Sequence, residues 1–97
     1  MTTYVTLLKW TAQGAKTAKE SVNRFNQANQ QVEKMGGRII NNLWTQGRYD
    51  LVTITEWPDE DSYTAFALSL AALGNVQSET LRGFTADDMS RIFKKMG

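Results

Sequence analysis

Apolar and β-branched residues open the chain. Residues 3–10, TYVTLLKW, suit a pleated and packed surface and predict a first strand. Residues 11–19 carry no clear period, and Gly14 weakens any helix through them, so they read as a loop or a ragged helical entry. From Ser21 the pattern becomes helical. Val22, Phe25, Ala28, Val32 and Met35 recur at three- and four-residue spacing until Gly36-Gly37. Glycine ends a helix readily because it enters the left-handed cap conformation without a Cβ clash. A second strand is predicted over 38–46 and a third over 49–57, joined by a segment too short for anything but a hairpin. Pro58 stops the third strand, since it cannot donate to a ladder. Asp59 can cap the next helix, with Glu60 and Asp61 at its positive end. Residues 63–73 are almost wholly apolar, which predicts a deeply packed helix that Gly74-Asn75 terminates. Residues 76–84 form a fourth strand. Thr85 then caps a short helix with Met89, Ile92, Phe93 and Met96 on its apolar side.

The order is β-α-β-β-α-β with an added C-terminal helix. Right-handed crossovers fold that order into an α+β, ferredoxin-like domain, with a four-stranded antiparallel sheet and helices on one face. The strand faces then have a consequence. The first strand sets Val5 and Leu7 against Tyr4, Leu8 and Trp10. The second sets Ile40 and Trp44 against Ile39 and Leu43, and the third sets Val52 and Ile54 against Tyr49, Leu51 and Trp57. Both sheet faces are apolar, and the helices cover one. The uncovered face predicts a homodimer packed sheet to sheet about a two-fold axis.

Composition narrows the function classes. At 97 residues, the chain reads as a single domain, 1–97, of globular make-up, 41% hydrophobic and 22% charged. A net charge of +1 supplies no field for nucleic acid or an anionic membrane, so neither is expected as a partner. With no Cys and no His, disulfides, His/Cys zinc sites, His-ligated haem and Ser-His or Cys-His nucleophile pairs are excluded. No cofactor and no metal site are predicted, and the Asp59-Glu60-Asp61 carboxylates read as helix N-terminal charges. An oxygen-ligated Mg²⁺ or Ca²⁺ stays chemically open. The N-terminus lacks a signal-peptide pattern, and a cytoplasmic location is the expectation.

The candidate chemistry gathers around Gly47-Arg48-Tyr49-Asp50. Gly47 predicts a positive φ in the hairpin. Asp50 reads as an acceptor for the amides of its own turn, or alternatively as a carboxylate at a pocket mouth. Tyr49 reads as a packed strand aromatic or as a binding or acid group. Glu56 and Glu79 lie on strands with Arg82 as a formal partner, either as an exposed pair or as a buried one aimed into a site. Trp10, Trp44 and Trp57 suit core and interface, and equally the walls of an apolar pocket.

The Gly-x-Tyr-Asp at 47–50 resembles the signature of the GYD-domain family. "EWPD" at 56–59, "ALGNV" at 72–76 and "ETLRGFT" at 79–85 extend the resemblance over nearly the whole chain. The resemblance implies a dimeric α+β barrel. Related families of that fold include cofactor-free oxygenases, haem-degrading enzymes, isomerases and plain ligand or stress proteins, so it implies no single activity.

Three functions stand beside one another. The first is a homodimer that binds a small apolar or aromatic molecule between sheet and helices, with Trp10, Trp44, Tyr49 and Arg82 as binding candidates. The second is a cofactor-independent oxygenase or isomerase, with Tyr49 and Arg82 polarising oxygen atoms and Asp50 or Glu56 accepting a proton. The third is a structural or assembly role. An open apolar cavity without convergent Tyr, Arg and carboxylate favours the first, convergence favours the second, and a closed dry core favours the third.

Overall fold

In the computed structural model, which describes residues 1–97, nine residues of alternating burial form β1 (Thr2–Trp10). Residues 11–20 hold a five-residue helix, α1 (Ala12–Lys16), and one 3₁₀ turn (Ala18–Glu20). Then follow α2 (Ser21–Lys34), β2 (Arg38–Trp44), β3 (Leu51–Trp57), α3 (Glu60–Ala72), β4 (Val76–Gly83) and α4 (Ala86–Lys95). The strands form one antiparallel sheet in the order β2-β3-β1-β4. This is the α+β, ferredoxin-like arrangement the element order predicts.

The helix ends follow the sequence signals. Gly36 has φ 86° and Gly74 has φ 79°, at the ends of α2 and α3. The Asp59 carboxylate accepts the Ser62 N–H to cap α3. Thr85 and Asp88 form a reciprocal capping box at the start of α4.

The register departs from simple alternation in β2. Ile39 pairs with Thr55 and Asn41 with Ile54, so Ile40 is an extra residue on the bulged strand. A one-residue insertion moves every later side chain to the opposite face. Trp44 therefore joins Ile39 on the helix side, where its indole N–H donates to Ser21 Oγ of α2 at 2.8 Å. Leu43, opposite Val52, turns to the uncovered side. The expected grouping of Ile40 with Trp44 against Ile39 with Leu43 is overturned by this bulge. Tyr49 also departs from expectation. It precedes β3, and its hydroxyl reaches Glu79 of β4 on the uncovered face rather than joining Leu51.

The core occupies one end of the helix-covered face. Tyr4, Val32, Trp57 and Tyr63 form its buried centre, with Tyr4 and Tyr63 rings stacked at 4.0 Å. The Trp57 ring is seated so tightly that a Cβ on Gly37 would lie 2.8 Å from it. Its indole N–H donates to Thr55 Oγ1 at 2.8 Å, which removes the cost of burying it. Deep packing of α3 does not occur. Only Tyr63 is buried, and Leu68 and Leu73 are 67% and 64% exposed. The helix lies on β3 and β4 without packing closely on α2, so its apolar circumference exceeds the surface available to cover it.

Two apolar surfaces remain. On the uncovered sheet face Val5, Leu7, Val52 and Ile54 are half-buried, with Leu43 and Leu81 exposed beside them. The α4 helix packs closely on no other element, and Phe93 and Met96 on its apolar side are 58% and 77% exposed. The molecule is accordingly long, 52 × 30 × 18 Å. No helix is long and apolar enough to cross a membrane.

Candidate functional site

The α2 and α3 backbones are not closely packed on each other, although Val32 and Tyr63 share one core, and the sheet between the helices is left partly uncovered. The result is a cavity of about 430 Å³ beside the aromatic core. Strand alternation sends Leu8, Trp10 and Leu51 into it. Phe25 and Ala28 of α2 and Phe66 and Leu70 of α3 supply the opposite walls. This volume lies within the range that small-molecule pockets span, and the lining is largely apolar.

Polar groups enter the cavity from the sheet. Thr6, Thr53 and Thr55 share the helix-side face at alternate positions of β1 and β3. The Tyr63 hydroxyl is hydrogen-bonded to Thr6 Oγ1 at 2.9 Å and to Thr80 Oγ1 at 2.6 Å. Thr53 Oγ1 donates to Asn42 Oδ1 at 2.6 Å. Arg24 borders the cavity, but its guanidinium is tied to Thr17, donating to the carbonyl at 3.0 Å and to the hydroxyl at 2.9 Å. No Asp or Glu lines the cavity.

The 47–50 corner lies beyond the same end of the sheet. Gly47 has φ 109°, the positive value the hairpin predicts. The corner is held by Thr45 N–H donating to the Asp50 carbonyl at 2.8 Å and Thr45 Oγ1 donating to the Tyr49 carbonyl at 2.7 Å. The Asp50 carboxylate does not accept from its own turn, contrary to the expectation from sequence. It accepts the backbone N–H of Trp10 at 2.9 Å, while Asp50 N–H donates to the Leu8 carbonyl at 2.8 Å. Asp50 thereby continues the ladder past the last paired residues of β3 and holds the end of β1, which carries Trp10 into the cavity.

Of the candidate residues, Trp10 lines the cavity. Trp44 backs its wall, bonded to Ser21 and edge-on to Phe25 at 5.8 Å. Tyr49 and Arg82 do not line it. Tyr49 donates to Glu79 at 2.9 Å, and this bond to a carboxylate holds its phenol above the usual value. Arg82 lies over Phe84 at 4.5 Å and near Tyr4, and donates to the Thr3 carbonyl at 3.1 Å. Glu56 pairs with Arg38 at 2.6 Å. The expected pairing of Arg82 with Glu56 or Glu79 does not form, because Arg82 stands opposite Tyr4 on the helix side and both carboxylates stand on the other. Tyr49, Asp50, Glu56 and Arg82 thus do not converge on one point. Nor do any three acidic side chains gather into a group that could hold a metal ion.

Sequence reasoning missed Asn42 and Tyr63 in the cavity. Asn42 left a signal, an amide of low strand propensity inside an otherwise apolar strand. Tyr63 left none, because one tyrosine in an apolar helix reads as packing.

A four-stranded antiparallel sheet in the order β2-β3-β1-β4 with its helices places the chain among small α+β, ferredoxin-like domains. Within that class this chain belongs to the GYD domain family, whose model matches residues 4–93. It is 30% identical over 90 residues to a protein of Thermus thermophilus named "Glutamine synthetase and cystathionine beta-lyase binding protein". That match covers 92% of this chain and 95% of the relative. No solved structure matches significantly.

Proposed function

We propose that this chain is a homodimeric binding protein that holds a small apolar or aromatic molecule between its sheet and its helices. The observation that carries this reading is the cavity of about 430 Å³, walled by Leu8, Trp10, Phe25, Leu51 and Phe66 and lacking any carboxylate. The absence of a convergent Tyr-Arg-carboxylate set in the cavity favours binding over acid-base chemistry. The apolar uncovered face and the unpacked α4 support dimerisation, since each leaves a surface that a second copy would bury. Native mass spectrometry of protein purified without organic solvent tests the cavity, with a stoichiometric bound small molecule as the expected result. Sedimentation at micromolar concentration tests the dimer, and a stable monomer would overturn it.

A second reading, favoured by the name of the Thermus relative, is that the protein acts by binding enzymes. Calorimetric titration with the glutamine synthetase and cystathionine β-lyase of the same organism tests it, and no heat with either enzyme would reject it.

A further inference from the structure

Tyr4 of β1 and Arg82 of β4 stand opposite each other on the helix side, at the end of the sheet away from the 47–50 corner. With Thr2 and Glu60, the first residue of α3, they line a surface notch. None of the four lines the cavity.

Three groups in the notch lack partners. The two ion pairs of the chain join Arg38 to Glu56 and Arg91 to Asp88, so Arg82 and Glu60, both exposed, are left without an opposite charge. Arg82 is nonetheless fixed in place. Its Nη1 donates to the Thr3 and Gly83 carbonyls, and the guanidinium lies over the Phe84 ring at 4.5 Å. Nε and Nη2, the edge that grips a carboxylate side-on, donate to nothing in the protein.

Tyr4 is the third. Its ring is stacked on Tyr63 at 4.0 Å, and only 7% of the residue is exposed. Its hydroxyl bonds to no protein atom, yet it is not sealed. The partnerless side-chain polar atoms cut off from solvent are Trp10 Nε1 and Asn42 Nδ2, and the Tyr4 hydroxyl is not among them. A rigid, buried ring thus presents an unbonded hydroxyl to the surface, where polar groups this well ordered are ordinarily paired. Burial and then the Glu60 carboxylate hold the phenol above its usual value, so it stays a neutral donor.

The complement of the guanidinium edge is a carboxylate, and that of Glu60 is an ammonium. Both signs within four residues call for both signs on one small molecule. We propose that the notch binds a small zwitterion of the α-amino acid kind, with its carboxylate on Arg82 and the Tyr4 hydroxyl and its ammonium on Glu60. A second copy on the uncovered sheet face leaves this site open, because Tyr4 and Arg82 face the other way. The site holds charges rather than moving protons, since a carboxylate base would need burial and Glu60 is exposed.

The test titrates the full chain with L-alanine, N-acetyl-L-alanine and L-alaninamide, which carry both charges, the carboxylate alone and the ammonium alone. Nuclear magnetic resonance follows the Tyr4 ring and the Glu60 amide. L-alanine should bind about tenfold or more tighter than either one-charge probe. Glu60→Gln should weaken L-alanine and leave N-acetyl-L-alanine within about twofold, and Arg82→Gln should weaken both. Tyr4→Phe removes a hydroxyl that no protein atom uses. It should keep the parent's melting temperature and weaken L-alanine by about three- to tenfold. Tyr4→Phe and Glu60→Gln carry the test if Arg82→Gln fails to fold. No shift of these resonances at tens of millimolar L-alanine would overturn the proposal. So would equal affinity for the three probes, or L-alanine binding that survives Tyr4→Phe and Glu60→Gln unchanged. None of these outcomes bears on the cavity, which native mass spectrometry tests by itself.

Discussion

The carboxylate of Asp50 holds the backbone N–H of Trp10 at 2.9 Å, forty residues away in the chain. The contact joins the family's signature corner to the strand end that delivers an indole into the cavity. Asp50→Ala strands the Trp10 N–H and should cost about 1–3 kcal/mol. Asp50→Asn keeps an acceptor but loses the charge, so it should cost less, about 0.5–1.5 kcal/mol. Denaturant unfolding of the two variants checks the order. If both unfold like the parent, the contact is not what holds the strand end.

Two glycines should respond differently to the same change. A Cβ on Gly14 would lie 1.9 Å from the carbonyl oxygen of Asn75, where α1 meets the turn after α3. That oxygen also accepts Thr11 N–H at 3.1 Å, so the backbone there has a second tie and little room to retreat. Gly14→Ala should cost on the order of 1–3 kcal/mol or more through steric overlap. Gly47 has open space around its Cβ position but a φ of 109°. Gly47→Val should therefore cost about 1–3 kcal/mol through backbone strain alone. Thermal melts of each variant, with crystal coordinates for Gly47→Val, separate overlap from strain.

Acid should release the cap of α4. The Thr85 N–H bonded to Asp88, followed by the Arg91 guanidinium, holds that carboxyl below its ordinary value. Because the folded-state value is depressed, the contribution is fully present above the unfolded value near 3.8 and is lost as pH falls through the folded one. Helix-sensitive circular dichroism should fall in that acid window. Asp88→Asn should flatten that part of the acid transition while lowering helicity at neutral pH. An acid transition identical to the parent's would contradict the assignment.

The uncovered sheet face should tolerate no charge at its centre. Val52 stands between Leu7 of β1 and Leu43 of β2 on that face. In the proposed dimer, Val52→Lys places a cation in an apolar interface and should shift the sedimenting species to monomer at micromolar concentration. The fold of each protomer should persist, since Val52 faces away from the Tyr4-Trp57-Tyr63 core.

Most of the fold is legible because local signals agree. Gly36-Gly37, Pro58, Asp59 and Thr85 each act within a turn of themselves, and they bound α2, β3, α3 and α4 close to where the sequence places them. The bulge at Ile40 leaves no such mark. It depends on how β2 pairs with β3, and it reverses the faces of Leu43 and Trp44. The candidate site suffers from the same non-locality. Asp50 looks like a turn residue because its partner, Trp10, is distant in sequence. Arg82 and Glu79 look like partners because they are near in sequence, yet the register puts them on opposite faces.

The isolation of α4 has a consequence for its motion. Isolated helices shorter than about 12–15 residues are marginal in water, and α4 has ten residues with no closely packed neighbour. Its capping box and its Asp88–Arg91 pair act only on its first turns. The remaining turns carry their hydrogen bonds without tertiary support, so their amides should exchange with deuterated solvent far faster than those of β1. Should a second copy close over Phe93 and Met96, that exchange would slow as protein concentration rises, and the last helix would report assembly while the sheet stayed silent.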